Sequence, residues 1–362
     1  MQKLKTISFC IPVLLLFIAS NCDDDTPIST EATPLSLNTP PFFGTPDIPE
    51  DNPLTVEGVA LGRELFYERK LSLDSSISCG SCHIQEFAFS DTATFSLGVN
   101  NARTTRQSMS LSNLPFQDDF FWDARTQTLE EQVFGPLEAS LEMNLDRDIA
   151  VQRLQNTLKY PLLFEKAFGT SVITPTLLAK AISQFERTLI AGNSRYDRFK
   201  KGEASLTEQE QNGERLFFTH PEPSIGLRGG NCGDCHTGFL TYSNRLSNNG
   251  LDAVITDIGF EDISGNPTDR GKFKTPSLRN IAITPPYMHD GRFTTLEEVL
   301  DHYNEHIQNS ATLDPLITAG TNTINGTSLG LTEEEKAAII AFLKTLTDDS
   351  FINNSEFSNP NE

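Results

Sequence analysis

Cys79-Gly80-Ser81-Cys82-His83 and Cys232-Gly233-Asp234-Cys235-His236 decide the reading of this 362-residue chain. Both have the Cys-x-x-Cys-His form of a c-type haem attachment site, in which two thiols add across the two haem vinyls and the adjacent histidine takes the iron as proximal ligand. The competing readings of such cysteine pairs are a disulfide, a thioredoxin-like redox motif and a zinc site. Two complete copies leave only Cys10 and Cys22, both near the N-terminus.

Outward from these motifs the sequence repeats. Gly62-Arg63-Glu64-Leu65-Phe66-Tyr67 precedes the first motif, and Gly213-Glu214-Arg215-Leu216-Phe217-Phe218 precedes the second, offset by 151 residues for the glycines and 153 for the cysteines. Both hexamers lie in amphipathic helical patterns, Val59 to Lys70 and Thr207 to Phe218. A further pattern runs from Pro175 to Ala191 between the modules, and a closing helix is expected from Thr332 to Leu346, opened by acidic residues. Few segments alternate with period two, so the expected architecture is mainly α-helical with long loops around two haem groups. The expected domains are 54–203 and 204–350, with a tail at 351–362.

Before these modules, residues 1–21 read as a lipoprotein signal peptide: Lys3 and Lys5, an apolar run from Ile7 to Ile18, then Ala19-Ser20-Asn21 ahead of Cys22. Cys22 is the expected lipidation site, although an ordinary cleaved signal leaving a free thiol is the alternative. The apolar run is too short to span a bilayer, so the expected membrane attachment is a lipid anchor in the periplasm or cell envelope. Asp23, Asp24 and Asp25 follow, and the Pro-rich stretch 22–53 is expected to be a disordered tether. An exported chain fits haem, because covalent attachment takes place outside the cytoplasm. Against 28 Lys and Arg stand 49 Asp and Glu, a formal net charge of −21. Nucleic acid is excluded as a natural partner, and a small basic protein is favoured.

Phe121-Trp122-Asp123 and Gly135-Pro136 lie between the motifs, and Pro286-Tyr287-Met288-His289-Asp290-Gly291 follows the second. Together with the paired motifs, this order resembles the bacterial dihaem cytochrome c peroxidase and MauG family from about residue 50 to 348. The resemblance implies two cytochrome c-like haem domains carrying two covalently bound haem c groups. It implies that His83 ligates a peroxidatic iron and His236 an electron-transfer iron. It also implies that Glu142 is the catalytic acid-base group, Gln132 the distal-pocket glutamine, Pro136 a cavity-shaping residue and Trp122 the interhaem conductor. Read as residues alone, Glu142 is one of 49 acids and Trp122, the chain's single tryptophan, a core residue. One calcium ion is a further family feature, with Gln107, Thr284 and Pro286 at the matching positions.

Two departures from the family pattern matter. No histidine lies between His83 and His220, and Val99 stands nearest to where many of these peroxidases carry a histidine that closes the first iron. The first site is therefore expected to be open without prior reduction. Second, the residue 14 beyond His289 is Tyr303, the MauG pattern, where peroxidases have methionine. Tyr303 is the expected distal ligand of the second haem, with Met288, His302 and His306 as rivals and a buried structural tyrosine as the alternative. His289 is read as an interhaem pocket residue. The resemblance implies reduction of hydrogen peroxide to water with electrons from a small cytochrome c or cupredoxin. The alternative is a MauG-like enzyme that oxidises a protein or organic substrate through a high-valent iron state. A homodimer is compatible with the sequence.

Overall fold

The first module starts at Thr55, whose side chain accepts the amide of Gly58 and caps α1 (Val56–Phe66). Residues 31–362 are described in this computed structural model; the signal at 1–21, Cys22 and the first part of the tether lie outside the described residues. Thr174 caps α2 (Pro175–Arg187) in the same way, with proline at the first helical position. The two helices cross at Gly62, where a Cβ would stand 1.9 Å from the carbonyl oxygen of Ala181. Only glycine lets the backbones meet so closely, and the crossing buries Leu61, Leu65, Leu178 and Ile182. Each such side chain contributes about 2 kcal/mol of apolar burial.

The second module repeats the arrangement. Reciprocal capping boxes, Thr207 with Glu210, Thr295 with Glu298 and Thr332 with Glu335, open α3 (Glu208–Phe218), α4 (Leu296–Glu305) and α5 (Glu333–Lys344). Helix α3 crosses α5 at Gly213, whose Cβ would stand 1.9 Å from the carbonyl oxygen of Ala338. Leu216, Phe217, Ile339, Phe342 and Leu346 fill the core around that crossing. The expected helices are thus present, with shorter ends: α1 stops at Phe66 and α2 at Arg187, where the Thr188 hydroxyl returns to the Phe185 carbonyl.

Among the described residues the sheet is limited to Leu246–Ser247 paired antiparallel with Phe273–Lys274. The mainly helical architecture is therefore observed. Residues 31–362 pack as one unit. A buried ion pair between Arg279 and Asp197 ties the connecting helix Arg195–Lys200 to a loop of the second module.

One terminal segment differs from expectation. From residue 31 the tether is laid on the body: Leu35 and Val56 bond backbone to backbone with Leu54 and Thr33, and Phe43 is buried against Phe116. Its prolines fix an extended path whose apolar residues still find pockets. The C-terminal tail also packs, bringing Phe351 and Phe357 onto Phe89 of the first module. Tyr67 and Arg63 of α1 and its following turn hold its carbonyls at Phe357 and Ser358. No described helix is long and apolar enough to cross a membrane.

Candidate haem sites

Each Cys-x-x-Cys-His motif forms a short 3-10 turn, Cys79–Ser81 and Cys232–Asp234, closed by a bond from the histidine amide to the first cysteine carbonyl at 3.0 and 2.9 Å. All four cysteines are free. His83 Nδ1 lies 2.8 Å from the Phe89 carbonyl, and His236 Nδ1 lies 3.2 and 3.1 Å from those of Thr241 and Pro276. A carbonyl at Nδ1 fixes the proton there and leaves Nε2 bare for a metal. Burial holds both imidazoles below their ordinary value, His236 at about 4, so both are neutral. Free thiol pairs, oriented neutral histidines and an apolar cavity of about 240 Å³ beside Cys232, Cys235 and His236 fit haem c.

Around the first motif, the loop bearing Val99 lies on the segment bearing Glu142. The Val99 amide donates to the Glu142 carbonyl at 2.9 Å, and a Cβ on Gly98 would meet the Leu141 carbonyl at 2.1 Å. Val99 is 1% exposed. Burial raises the Glu142 carboxyl, with Arg125 pulling the other way, and its charge is felt at both Cys79 and Cys82. The carbonyl of Pro136 accepts the Met143 amide at 3.1 Å, which sets Pro136 beside Glu142. Gln132 ends the short helix Leu129–Gln132 just before Pro136. Phe121 fills the space over Gly135, under the Arg125 guanidinium at 3.4 Å.

Between the motifs, the Trp122 indole donates to the Gln107 carbonyl at 2.9 Å, and the Trp122 carbonyl accepts the Lys274 amide at 2.7 Å. The Gln107 amide donates to the His289 carbonyl at 2.8 Å, and the His289 ring stacks on Phe273 with centroids 3.8 Å apart. Trp122, Gln107, His289, Thr284 and Pro286 all line the cavity that reaches His236. The Gln107 side-chain nitrogen is turned to Ser90 Oγ at 2.9 Å, which directs its amide oxygen the other way.

The far wall of that cavity carries Tyr303 and Met288. Asn249 Nδ2 donates to Tyr303 Oη at 3.2 Å and lies 3.4 Å from Met288 Sδ. Burial pushes the Tyr303 phenol up to about 12. Of the rivals, His302 is turned away, its Nε2 on the Asn249 carbonyl at 3.0 Å, and His306 is an exposed C-cap of α4. His220 is held beside the second motif by Asn231 and Asp234, each at 2.8 Å from Nδ1, and does not return to the first.

Four charged or polar residues carried no motif signal. Arg106 bridges Asp123 at 2.5 Å and Asp257 at 2.8 Å beneath the Trp122 segment. Lys274 is buried next to Trp122, and burial brings its amine down to about 8. Glu186 on α2 is 4% exposed, its Oε2 has no partner, and burial pushes its carboxyl up to about 8. Asn249 sits in a polar loop. Only Glu186 left a trace in the sequence, as an acid four residues after Ile182 on an otherwise apolar helix face.

A family model for di-haem cytochrome c peroxidase matches residues 56–205. The chain is 33% identical over 314 residues to methylamine utilization protein MauG of Methylorubrum extorquens, covering 82% of this chain and 80% of that protein. It is 31% identical over 309 residues to cytochrome c551 peroxidase of Nitrosomonas europaea, covering 82% of each. Among solved structures, a MauG-like protein associated with microbial copper homeostasis superposes with a TM-score of 0.81 at 35% identity, covering 91% of this chain and all of that one. With paired attachment motifs on a twice-repeated helix crossing, and relatives matched over most of their length, the chain belongs to the di-haem cytochrome c peroxidase and MauG family.

Proposed function

We propose that this protein reduces hydrogen peroxide to water at the first of two cytochrome c-like haem domains, with electrons delivered through the second by a small cytochrome c or cupredoxin. The observation that carries the reading is the first site itself. A half-buried Glu142 lies within electrostatic reach of Cys79 and Cys82, and apolar Val99, the residue read as replacing a closing histidine, bonds to its backbone.

When bound through Cys79, Cys82 and His83, the first haem supplies the iron that polarises peroxide, and the second, on Cys232, Cys235 and His236, supplies electrons. The chain does the rest. Peroxide consumes two protons and two electrons and leaves as two waters. Burial raises the Glu142 carboxyl above its ordinary value, with Arg125 pulling the other way, and Glu142 is read as the group that moves the proton. It takes the proton from the inner peroxide oxygen and delivers it to the outer one, which then departs as water. Gln132 and Pro136 hold and shape the space for that oxygen. Trp122, pinned at Gln107 and Lys274, is the conductor between the two modules, and His289 with Phe273 packs the wall beside it. Gln107, Thr284 and Pro286 border the same cavity and offer oxygens for a calcium ion that would stiffen it. An exported lipoprotein anchored at Cys22 would meet its donor in the envelope.

Turnover of peroxide with a reduced soluble cytochrome, at a rate that saturates with donor, is the expected result; a holoprotein with two haems and no donor-dependent turnover overturns it. One observation favours a second reading. Tyr303 stands in the second cavity where a phenolate would favour oxidised iron, and MauG of Methylorubrum extorquens is among the relatives. On that reading peroxide drives oxidation of a protein or organic substrate.

A further inference from the structure

We propose that Asn249 is a positioning residue that decides which side chain faces the second haem, presenting the Tyr303 oxygen and withholding the Met288 sulfur. The inference rests on the reading of Tyr303 as the group opposite His236. One amide nitrogen, Asn249 Nδ2, reaches both candidate atoms, Tyr303 Oη at 3.2 Å and Met288 Sδ at 3.4 Å. Both side chains line the cavity that reaches His236, so two ligand types of opposite redox preference compete for one position. A thioether whose lone pair accepts an amide hydrogen is drawn off that position. A tyrosine oxygen that accepts the same donor keeps its second lone-pair direction for the cavity.

The donor is built on a locked loop. On one side of Asn249, the buried Asn248 bonds through Nδ2 to Ser310 and Thr312 at 3.0 and 2.9 Å. On the other side, Gly250 takes φ +70, where a Cβ would collide with Ile307 at 2.7 Å, and its carbonyl accepts the Gln308 amide at 2.8 Å. The Asn249 carbonyl is fixed by His302 Nε2 at 3.0 Å, from the residue next to Tyr303 on α4. That bond couples the loop to the helix carrying the favoured ligand. Met288 by contrast sits at φ +74, a left-handed backbone that residues other than glycine rarely adopt. Its side chain is held near the cavity at the expense of backbone strain, so a small bias at Asn249 suffices to decide between the two.

Tyr303 would give up its phenolic proton on binding the iron, and exchanging that phenolate oxygen for a neutral sulfur would shift iron preference from ferric to ferrous. The test uses the holoprotein, with two haems per chain verified first. In Asn249→Leu the second-haem midpoint potential should rise, and a thioether-to-iron charge-transfer band should appear in the oxidised spectrum. Adding Met288→Leu should remove that band. Asn249→Ser, which also withdraws the amide donor, gives the same readout if the leucine variant fails to take up haem. Wild-type potential and spectrum in both variants overturn the proposal. Tyr303→Phe separates the layers. If it alters the second-haem spectrum while both Asn249 variants do not, Tyr303 is the ligand and Asn249 does not select it. If Tyr303→Phe leaves the spectrum unchanged, the reading of Tyr303 fails and this inference falls with it.

Discussion

Glu186 in the first module stands where Leu343 stands in the second. The register follows from the crossings: the absent Cβ of Gly62 would meet the Ala181 carbonyl and Phe185 Cβ, and that of Gly213 would meet the Ala338 carbonyl and Phe342 Cβ. The next residue is Glu186 in one helix and Leu343 in the other, and Leu343 lines the second cavity. The contrast continues around both sites. The first has a half-buried carboxyl, Glu142, a buried one, Glu186, and an apolar Val99 on the loop beside Glu142. The second has Tyr303, Met288 and Asn249 crowding its far wall, with apolar Phe217, Ile339 and Leu343 around the rest. One backbone, used twice, is kept by its glycines and made different by the side chains that face inward. On the proposed function, the module with the acids handles protons and the one with filled coordination passes electrons.

The glycines offer the strongest way to break the likeness. Gly62→Val and Gly213→Val should each force apart backbones that now meet at 1.9 Å, costing about 3 kcal/mol or more. Chemical denaturation of the two variants should show similar losses; a neutral substitution at either would mean that the crossings are not equivalent. The acids sharpen the difference. Glu142→Gln should keep both haem spectra and slow peroxide cleavage by about 10²-fold or more. Near-wild-type turnover would return Glu142 to the ordinary run of surface acids.

Glu186 gives a smaller, pH-dependent effect. Its folded value, about 8, lies above the ordinary 4.5, so the folded protein holds this proton more tightly than the unfolded chain. Its contribution is therefore most favourable below about pH 4.5 and is lost as the pH rises toward 8, with a slope of at most about 1.4 kcal/mol per unit. Arg187 opposes this shift and Glu130 adds to it. Compared with wild type, Glu186→Gln should flatten stability between those limits and be the more stable form at pH 8. Parallel stability curves would show that Glu186 is not a buried acid in the folded protein.

Much of the frame was legible because it rests on periodic signals. The paired motifs, the repeated glycine hexamers and the amphipathic patterns from Val59, Thr207 and Thr332 located α1, α3 and α5 within a few residues. Neither the packing of the tether from residue 31 nor that of the tail was legible, for a shared reason. Segments of Pro, Ser and Asn show no helical or strand period, yet Phe43, Phe351 and Phe357 are buried one at a time in pockets made by distant parts of the chain. The site divides likewise. Glu142, Val99, Trp122 and Tyr303 stood at fixed distances from recognisable motifs. Asn249 did not, since its importance arises only when a loop after the second motif meets α4 and the Met288 turn in space.

On the proposed function the first site is open and the second closed in the resting protein. Stopped-flow absorbance of the fully oxidised holoprotein mixed with hydrogen peroxide tests it, beside a sample first reduced by one electron. An open first site predicts an immediate change in the high-spin Soret component in both samples, and electron paramagnetic resonance of the resting protein should show one high-spin and one low-spin ferric centre. An inert oxidised sample that reacts only after one-electron reduction, with two low-spin centres at rest, would rule out an open first site and show that another side chain closes it beside Val99.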